Sequence, residues 1–222
     1  MADKKKALIV WGGWDGHTPE PCAKLFAPLL EEKGFEVRVE NSMDVYTDKE
    51  YMSSLSLIVP IWTMGQITAE QEKGLLEAIH SGVGIAGFHG GMIDSFRGHC
   101  SYEMMTGGQF VGHPGGIIPT HEVQIVDPVH EITAGLDDFI IPNSEQYYMH
   151  VDPSVHVLCI TEFSGDYGDP STYPHGAIMP YAWTRTWGQG RVFAAAWGHT
   201  DKDFDIPECK EIVIRGMVWA SR

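Results

Sequence analysis

A histidine stands at the centre of a glycine-rich turn whose spacing is typical of a catalytic nucleophile. The segment Gly87-Phe88-His89-Gly90-Gly91 follows an apolar run, 83–88, that predicts a buried strand. In such an elbow the glycines allow a sharp turn from strand to helix, and the central side chain projects over the carboxyl edge of the sheet. An imidazole at that position favours metal coordination or proton transfer. The alternative is that His89 merely packs a loop.

Two further histidines follow apolar runs and are expected at the same edge of the sheet. His17, His89 and His199 should converge there, because ligands of doubly wound sheets bind beyond the carboxyl ends of the strands. Neutral imidazoles bind a divalent metal such as zinc, and Glu145 or Asp201 would add a carboxylate ligand. Without a metal, the same groups would transfer protons on a small carbohydrate or hydroxy-carbonyl compound.

Four other side chains are expected to shape a pocket around these histidines. The Gly/Pro-rich segment 112–116 follows the elbow and would fold over the site. The tetrapeptide 145–148 combines a carboxylate with two phenols, which suits the hydroxyls and the apolar faces of a sugar. The residues assigned to substrate binding are Trp14, Trp62, His113 and Tyr148.

Arg185 is the arginine that the sequence places at a predicted strand end, before the glycine turn at 188–190. Its guanidinium would hold an anionic or carbonyl oxygen of the substrate, or would pair with one of the many surface acids. We include it with His89, His199 and Glu145 among the catalytic candidates, and the surface ion pair stays open.

The four cysteines are scattered, without a CxxC pair or any close metal-ligand spacing. Cys100 lies past the elbow, where it is expected to be accessible. A hydrolase that uses Cys100 with His99 or His113 therefore stays open as a further interpretation. A cysteine nucleophile needs a lowered thiol pKa, which residue spacing alone does not reveal.

Strands and helices alternate in the first half of the chain, and strands dominate the second half. Hydrophobic patterning predicts strands at 7–11, 35–39, 55–62, 83–88, 122–126, 155–162, 177–184 and 191–197. It predicts helices at 18–33, 68–80, 92–105 and 206–220, and a polar loop at 165–174. This order predicts an α/β fold of the flavodoxin-like type, a doubly wound, mostly parallel sheet flanked by helices, with added strands in the C-terminal half.

Composition narrows the class of protein. The chain has 222 residues and a formal net charge of −15, which opposes the phosphate neutralisation that nucleic-acid binding requires. No apolar stretch approaches the roughly 20 residues that span a bilayer, and no signal-type core precedes the first strand. We therefore expect one cytoplasmic domain, 1–222, that binds neither nucleic acid nor membrane. Its oligomeric state, a homo-oligomer included, stays open.

Several segments together resemble the ThuA-like (trehalose utilisation) family. They are 87–91, 107–110, 112–114, 145–148, 184–185, 188–193 and 198–199. The resemblance spans most of the chain and implies the class I glutamine amidotransferase-like fold. In those amidotransferases a cysteine occupies the elbow and a later histidine completes a triad, so this chain keeps the histidine, at His199, and has His89 in place of the cysteine. The imidazole in place of the thiol argues against glutaminase or peptidase activity. The resemblance to the family implies uptake and breakdown of trehalose or related disaccharides, with keto-sugar intermediates.

Two functions follow from these expectations. The first is an enzyme of carbohydrate metabolism that uses the histidine pocket for metal-assisted or acid/base chemistry of the isomerase, lyase or hydrolase type. The second is a non-catalytic sugar-binding or regulatory module that kept the pocket after losing the elbow nucleophile.

Overall fold

The first half of the chain builds strands and helices in strict alternation. The computed structural model describes residues 4–165, 167 and 175–222. In chain order the elements of the first half are β1 (Lys5–Gly13), α1 (Pro19–Glu32), β2 (Phe35–Glu40), α2 (Lys49–Ser54), β3 (Leu57–Thr63), α3 (Ala69–His80) and β4 (Gly84–Phe88). The strands and helices predicted here are present, and the short α2 was not predicted.

Local sequence explains where these elements begin. Helix α3 starts at a capping box, in which Gln71 N–H donates to Thr68 Oγ1 at 3.3 Å and Thr68 N–H donates to Gln71 Oε1 at 3.0 Å. Helix α1 starts with Pro19, whose fixed φ suits a first helical turn. Residues 7–10 of β1 have no exposed surface, as expected for a central strand covered by helices on both faces.

The second half adds two short helices, the antiparallel strands and a 14-residue closing helix. Its elements are α4 (His89–Ile93), α5 (Cys100–Thr106), β5 (Gly108–Gly112), β6 (Ile117–Ile125), β7 (Phe139–Glu145), β8 (Tyr148–Val151), β9 (His156–Glu162), β10 (Ile178–Trp187), β11 (Gly190–Ala195) and α6 (Pro207–Ala220). The single helix predicted at 92–105 is wrong: α4 and α5 are separate, and Gly98 between them has a left-handed φ of +80°. Strands β5, β7 and β8 were not predicted.

One large sheet carries the fold, with the strand order β2-β1-β3-β4-β11-β10-β9-β6-β7. The pairs from β2 to β11 are parallel, and those from β11 to β7 are antiparallel. Strands β5 and β8 form a separate antiparallel pair. The doubly wound α/β fold with added C-terminal strands is therefore confirmed. The carboxyl ends of β1, β3, β4 and β11 lie at one edge of the sheet.

Three further expectations concern the polar loop, membrane-spanning helices and the number of domains. The polar loop predicted at 165–174 lies outside the described residues except for Gly165 and Tyr167. Among the described residues, no helix is both long enough and apolar enough to cross a membrane. The interpretation of 1–222 as one domain stays a prediction.

Candidate metal centre

The turn after β4 has the geometry of an elbow. His89 is the first residue of α4 and adopts a left-handed φ of 46°, which is uncommon outside glycine and is often found at functional sites. A Cβ atom on Gly90 would lie 2.6 Å from His17 Cε1, and one on Gly87 would lie 2.8 Å from Met92 Cβ. The turn therefore needs these glycines, and it presents the His89 imidazole at the carboxyl edge of the sheet.

Four side chains from distant parts of the sequence meet at this edge. His17 closes a short 3₁₀ helix after β1, His89 follows β4, Glu145 ends β7 and His199 follows β11. One ligand atom from each lies within 4.8 Å of every other. His17, His89 and Glu145 are buried, and His199 is partly exposed. We call these four residues the His3Glu cluster.

The Glu145 carboxylate lies at the centre of the cluster. Its Oε2 atom is 3.2 Å from His89 Nε2, 3.3 Å from His199 Nδ1 and 3.7 Å from His17 Nε2. Its second oxygen, Oε1, is 3.6 Å from Nε2 of the half-exposed His113. One carboxylate thus faces four imidazoles.

Hydrogen bonds behind the histidines fix which ring nitrogen faces the carboxylate. His89 Nδ1 lies 2.8 Å from the carbonyl oxygen of Ala196, which can only accept, so Nδ1 carries the proton. In the neutral ring Nε2 then presents a lone pair toward Glu145. His17 Nδ1 is 2.9 Å from Thr63 Oγ1. Such outer contacts orient the histidines of metal sites.

His199 presents a buried nitrogen to the same centre. Its Nδ1 atom is buried and, within the part of the chain that the structure describes, has no hydrogen-bond partner. It lies 3.3 Å from Glu145 Oε2, but the two groups are not aligned as donor and acceptor. A buried polar atom without a partner is costly, and a cation between the two atoms would satisfy both.

Electrostatics keeps two of these groups in the forms that bind metals. Burial lowers the pKa of His89 to about 3, so the ring is neutral near neutral pH. Burial raises the pKa of Glu145, but the surrounding imidazoles of His17, His199 and His89 outweigh it and hold that pKa well below its ordinary value. A neutral imidazole and an ionised carboxylate therefore face each other.

Asp203, which sequence reasoning missed, ties two ligands of the cluster together. Its Oδ2 atom accepts hydrogen bonds from the backbone N–H groups of Gly198 at 3.1 Å and His199 at 3.0 Å. The same oxygen accepts from Ser144 Oγ at 2.8 Å. The buried Asp203 thus holds the segment after β11 against the end of β7, beside Glu145. The sequence does carry a signal for Asp203. It lies three residues after Thr200, whose hydroxyl caps the short helix 201–205.

Tyr147, and not Tyr148, is the phenol beside the cluster. The Tyr147 ring stacks on His89 with centroids 3.8 Å apart, whereas the Tyr148 ring contacts Phe163 at 5.7 Å. The phenol that contacts His89 is therefore Tyr147, and a role for Tyr148 in substrate binding stays a prediction.

The two tryptophans assigned to the pocket have different surroundings. Trp14 is 46% exposed and packs its ring edge-to-face against His17, with centroids 4.8 Å apart. The Trp62 ring lies against Gly12 and Gly65, where a Cβ atom would come within 2.6 Å and 2.5 Å of it, and it packs against the hydrophobic core. A role for Trp62 in substrate binding stays a prediction.

Arg185 lies away from the cluster, and its assignment to this site is corrected. In the β10–β11 pair, Ala182 lies opposite Ala195 near the histidine edge, while Arg185 lies opposite Val192, farther along toward the other edge. Its Nη1 atom contacts Asp152 Oδ2 at 3.1 Å. Because β10 is antiparallel to β11, the carboxyl end of β10 points away from the histidines. Arg185 thus forms an ion pair with an acidic residue, which is the second alternative that the sequence left open.

Two other candidates are also engaged elsewhere. His99 Nδ1 is 3.0 Å from Glu72 Oε2, and the exposed Cys100 directs Sγ toward the carbonyl of Gly98 at 3.9 Å. These contacts do not support a pair of Cys100 with His99. Asp201, the alternative carboxylate ligand, has its Oδ2 atom 3.7 Å from Lys202 Nζ, and Glu145 takes its place in the cluster.

Comparison with known proteins places the chain in a family. The family model named ThuA, trehalose utilisation, matches residues 6–220. The chain belongs to the ThuA family. A search of curated protein sequences finds no match to this ThuA chain.

Solved structures share the fold of this ThuA chain at low sequence identity. A ThuA-like protein from Bacteroides uniformis is 20% identical with a TM-score of 0.78, covering 97% of this chain and 91% of its own. One from Parabacteroides merdae is 17% identical with a TM-score of 0.76, covering 98% and 90%. A cytoplasmic protein of Salmonella typhimurium is 12% identical with a TM-score of 0.66, covering 98% and 99%. These likenesses establish the fold, and the cluster must be interpreted from its own geometry.

Proposed function

We propose that this ThuA protein is a metal-dependent enzyme acting on a sugar or keto-sugar, with His17, His89, His199 and Glu145 as metal ligands. The observation that carries the proposal is the pair of facing acceptors at 3.2 Å, His89 Nε2 and Glu145 Oε2. Two lone pairs directed at each other repel unless a cation or a proton lies between them. The low pKa of His89 argues against the proton and favours the cation.

The donor set supports a divalent metal such as zinc. Three imidazoles with one carboxylate match the preferences of zinc and other late first-row metals, whereas magnesium and calcium prefer oxygen ligands. The contacts of His89 with Ala196 O and of His17 with Thr63 Oγ1 supply the outer hydrogen bonds typical of such sites.

The chain's own residues support acid/base chemistry on a bound carbohydrate. A bound divalent metal supplies Lewis acidity toward a carbonyl or hydroxyl oxygen. His113 is half-exposed at the mouth and faces the second oxygen of Glu145, so it is placed to give or take a proton. The stacked ring of Tyr147 covers one side of His89 and limits the access of water. The elbow carries an imidazole where covalent acyl transfer needs a thiol or hydroxyl, which argues against amidotransferase chemistry.

The family supports the class of substrate. Its description as trehalose utilisation is compatible with a disaccharide or an oxidised disaccharide. The ligand we propose is a small carbohydrate, with neither nucleic acid nor membrane as a partner. We also propose a cytoplasmic location, which the description of the Salmonella structure and the free cysteines of this chain support.

A turnover screen tests the proposed enzyme. The assay measures turnover of trehalose and of keto-disaccharides by metal-free protein and by protein reloaded with zinc, manganese or iron(II). The variants Glu145→Gln and His80→Gln are assayed in the same way. We expect turnover with one reloaded metal and its loss in Glu145→Gln, whereas the exposed His80 serves as a control that retains activity. Saccharide binding without turnover in every metal form would favour the non-catalytic module instead.

A further inference from the structure

Two large apolar side chains are exposed beside the buried His3Glu cluster. Trp14 is 46% exposed and Met64 is 40% exposed. They follow the neighbouring strands β1 and β3, and Trp14 N–H donates to Thr63 O at 3.0 Å, which holds the two segments together. Met64 has a left-handed φ of 53°, a conformation that is frequent at binding sites. Exposed apolar surface at the rim of a polar site is typical of a ligand contact.

The indole of Trp14 is held in place although nearly half of the residue is open. A Cβ atom on Gly16 would lie 2.3 Å from Trp14 Cζ2, so the six-membered part of the ring rests on a position that only glycine can occupy. The ring also packs edge-to-face on His17, whose Nε2 atom belongs to the cluster. A rigid, exposed aromatic ring loses little conformational freedom when a ligand binds to it.

We propose that Trp14 is the platform on which a sugar ring of the substrate lies, with the ring's oxygen atoms directed toward the His3Glu cluster. The inference rests on the proposed function and adds the residue that selects the substrate. The C–H groups of a pyranose carry partial positive charge and fit the negative face of an indole. Because Trp14 touches His17, a ring stacked on the indole has its edge beside the cluster.

The charges around the platform favour a neutral ring over an anionic one. Asp15 follows Trp14 in the chain and is exposed. The backbone N–H of Asp201 donates to Thr18 Oγ1 at 2.9 Å, which brings the 201 segment close to the chain after Trp14, and the Asp201 carboxylate pairs with Lys202 at 3.7 Å. Carboxylates accept hydrogen bonds from sugar hydroxyls and repel carboxylate or phosphate groups on a ligand. The exposed Asp15 carboxylate therefore favours an uncharged polyol over an anionic ligand.

Binding measurements on metal-loaded protein test the platform. Calorimetry measures the binding of trehalose, maltose, D-glucose and benzoate to the wild type. The same titrations are made with Trp14→Ala, Trp14→Phe and Gly16→Ala, and the metal content of each protein is measured. We expect roughly tenfold weaker trehalose binding in Trp14→Ala, a smaller loss in Trp14→Phe and a loss in Gly16→Ala, where the new methyl displaces the indole. The control is Trp187→Ala, a partly buried tryptophan at the other end of the sheet, which should bind trehalose like the wild type.

The outcomes separate this inference from the proposed function. Unchanged trehalose affinity in Trp14→Ala, with metal bound, overturns the platform while the metal-dependent enzyme stands. Tighter binding of benzoate than of any sugar also overturns it. Protein that binds no metal contradicts the proposed function, and protein that binds metal but none of the sugars contradicts the platform.

Discussion

At the scale of single residues, the main feature is a carboxylate surrounded by imidazoles, one of which, His89, has its proton directed away from the carboxylate. The Ala196 carbonyl fixes the proton of His89 on Nδ1, away from Glu145. The low pKa of His89 and the low pKa of Glu145 leave both groups ready to bind a metal without first losing a proton. The residues behind the ligands are therefore expected to matter for metal affinity.

The Thr63 hydroxyl, which contacts His17, allows a test of zinc affinity that leaves the four ligands in place. Thr63→Val keeps the shape of the buried side chain but removes the 2.9 Å contact with His17 Nδ1. We expect zinc affinity to fall roughly 10- to 100-fold, as is usual when an outer hydrogen bond to a histidine ligand is lost. Competition with a chromophoric chelator measures the affinity. Thr120→Val, at an exposed position of β6, is the control, and equal affinities in the two variants would contradict the role of Thr63.

The buried His89 predicts a pH dependence of stability in the metal-free protein. Its pKa falls from an ordinary value of 6.5 in the unfolded chain to about 3 in the folded protein. A lowered folded pKa means that stability is fully present above 6.5 and is lost as the pH falls toward 3. Over that window this one group contributes a slope of about 1.4 kcal/mol per pH unit.

Urea unfolding at several pH values isolates that slope. We expect the free energy of unfolding of His89→Gln to depend less steeply on pH than that of the wild type, by about that amount. Comparing slopes is necessary because burial also lowers the pKa of His121, to about 4, in both proteins. Parallel curves would show that folding does not shift the pKa of His89 and would remove an argument for the metal.

At the scale of elements, the elbow between β4 and α4 sets the distance between two ligands. A Cβ atom on Gly90 would lie 2.6 Å from His17 Cε1 and 2.9 Å from Thr63 Cγ2. The absence of a side chain at this position is what lets His17 approach His89, with ring centroids 4.7 Å apart. The glycine therefore acts on the metal site as well as on the turn.

Substituting that glycine tests the role of the elbow. In Gly90→Ala the methyl group must displace the His17 ring, so we expect weaker zinc binding with the fold retained. The matched control is Gly112→Ala, since a Cβ atom there would meet nothing within 4 Å. Zinc affinity and far-ultraviolet circular dichroism are measured together. Wild-type affinity in Gly90→Ala would mean that the spacing of the two histidines does not depend on this turn.

The parallel elements could be predicted because their signals are local. Apolar runs, the Thr68 cap and the glycines at 87–91 each act over a few neighbouring residues. The split between α4 and α5 escaped prediction, because the left-handed Gly98 interrupts an otherwise helical pattern. Strand β7 escaped because Pro142 and Asn143 predict a turn. Asn143 does adopt a left-handed φ of 49°, but pairing with β6 continues on both sides of it.

At the scale of the whole molecule, the ligands come from four separate strand ends, and only the assembled sheet brings them together. Sequence reasoning found the three histidines because each follows a parallel strand. It could not choose between Glu145 and Asp201, and it named Tyr148 and not Tyr147, because those choices depend on how the antiparallel strands fold back. The same topology turns the end of β10 away from the site, which is why Arg185 was misplaced.

Metal binding should therefore stabilise the entire fold. Because the folded protein alone assembles the four ligands, zinc at about one hundred times its dissociation constant is expected to add roughly 2.7 kcal/mol to the free energy of unfolding. Chemical denaturation with and without zinc measures this gain. Glu145→Gln should lose most of it, and an equal gain in that variant would mean that the zinc binds elsewhere.

The most direct test of the metal centre is a calorimetric zinc titration of the metal-free protein. The His3Glu geometry predicts one tight site per chain, abolished or strongly weakened in His89→Gln and in Glu145→Gln and unchanged in His80→Gln. Absence of a tight site in the wild type, or a site that persists in both cluster variants, would contradict the account.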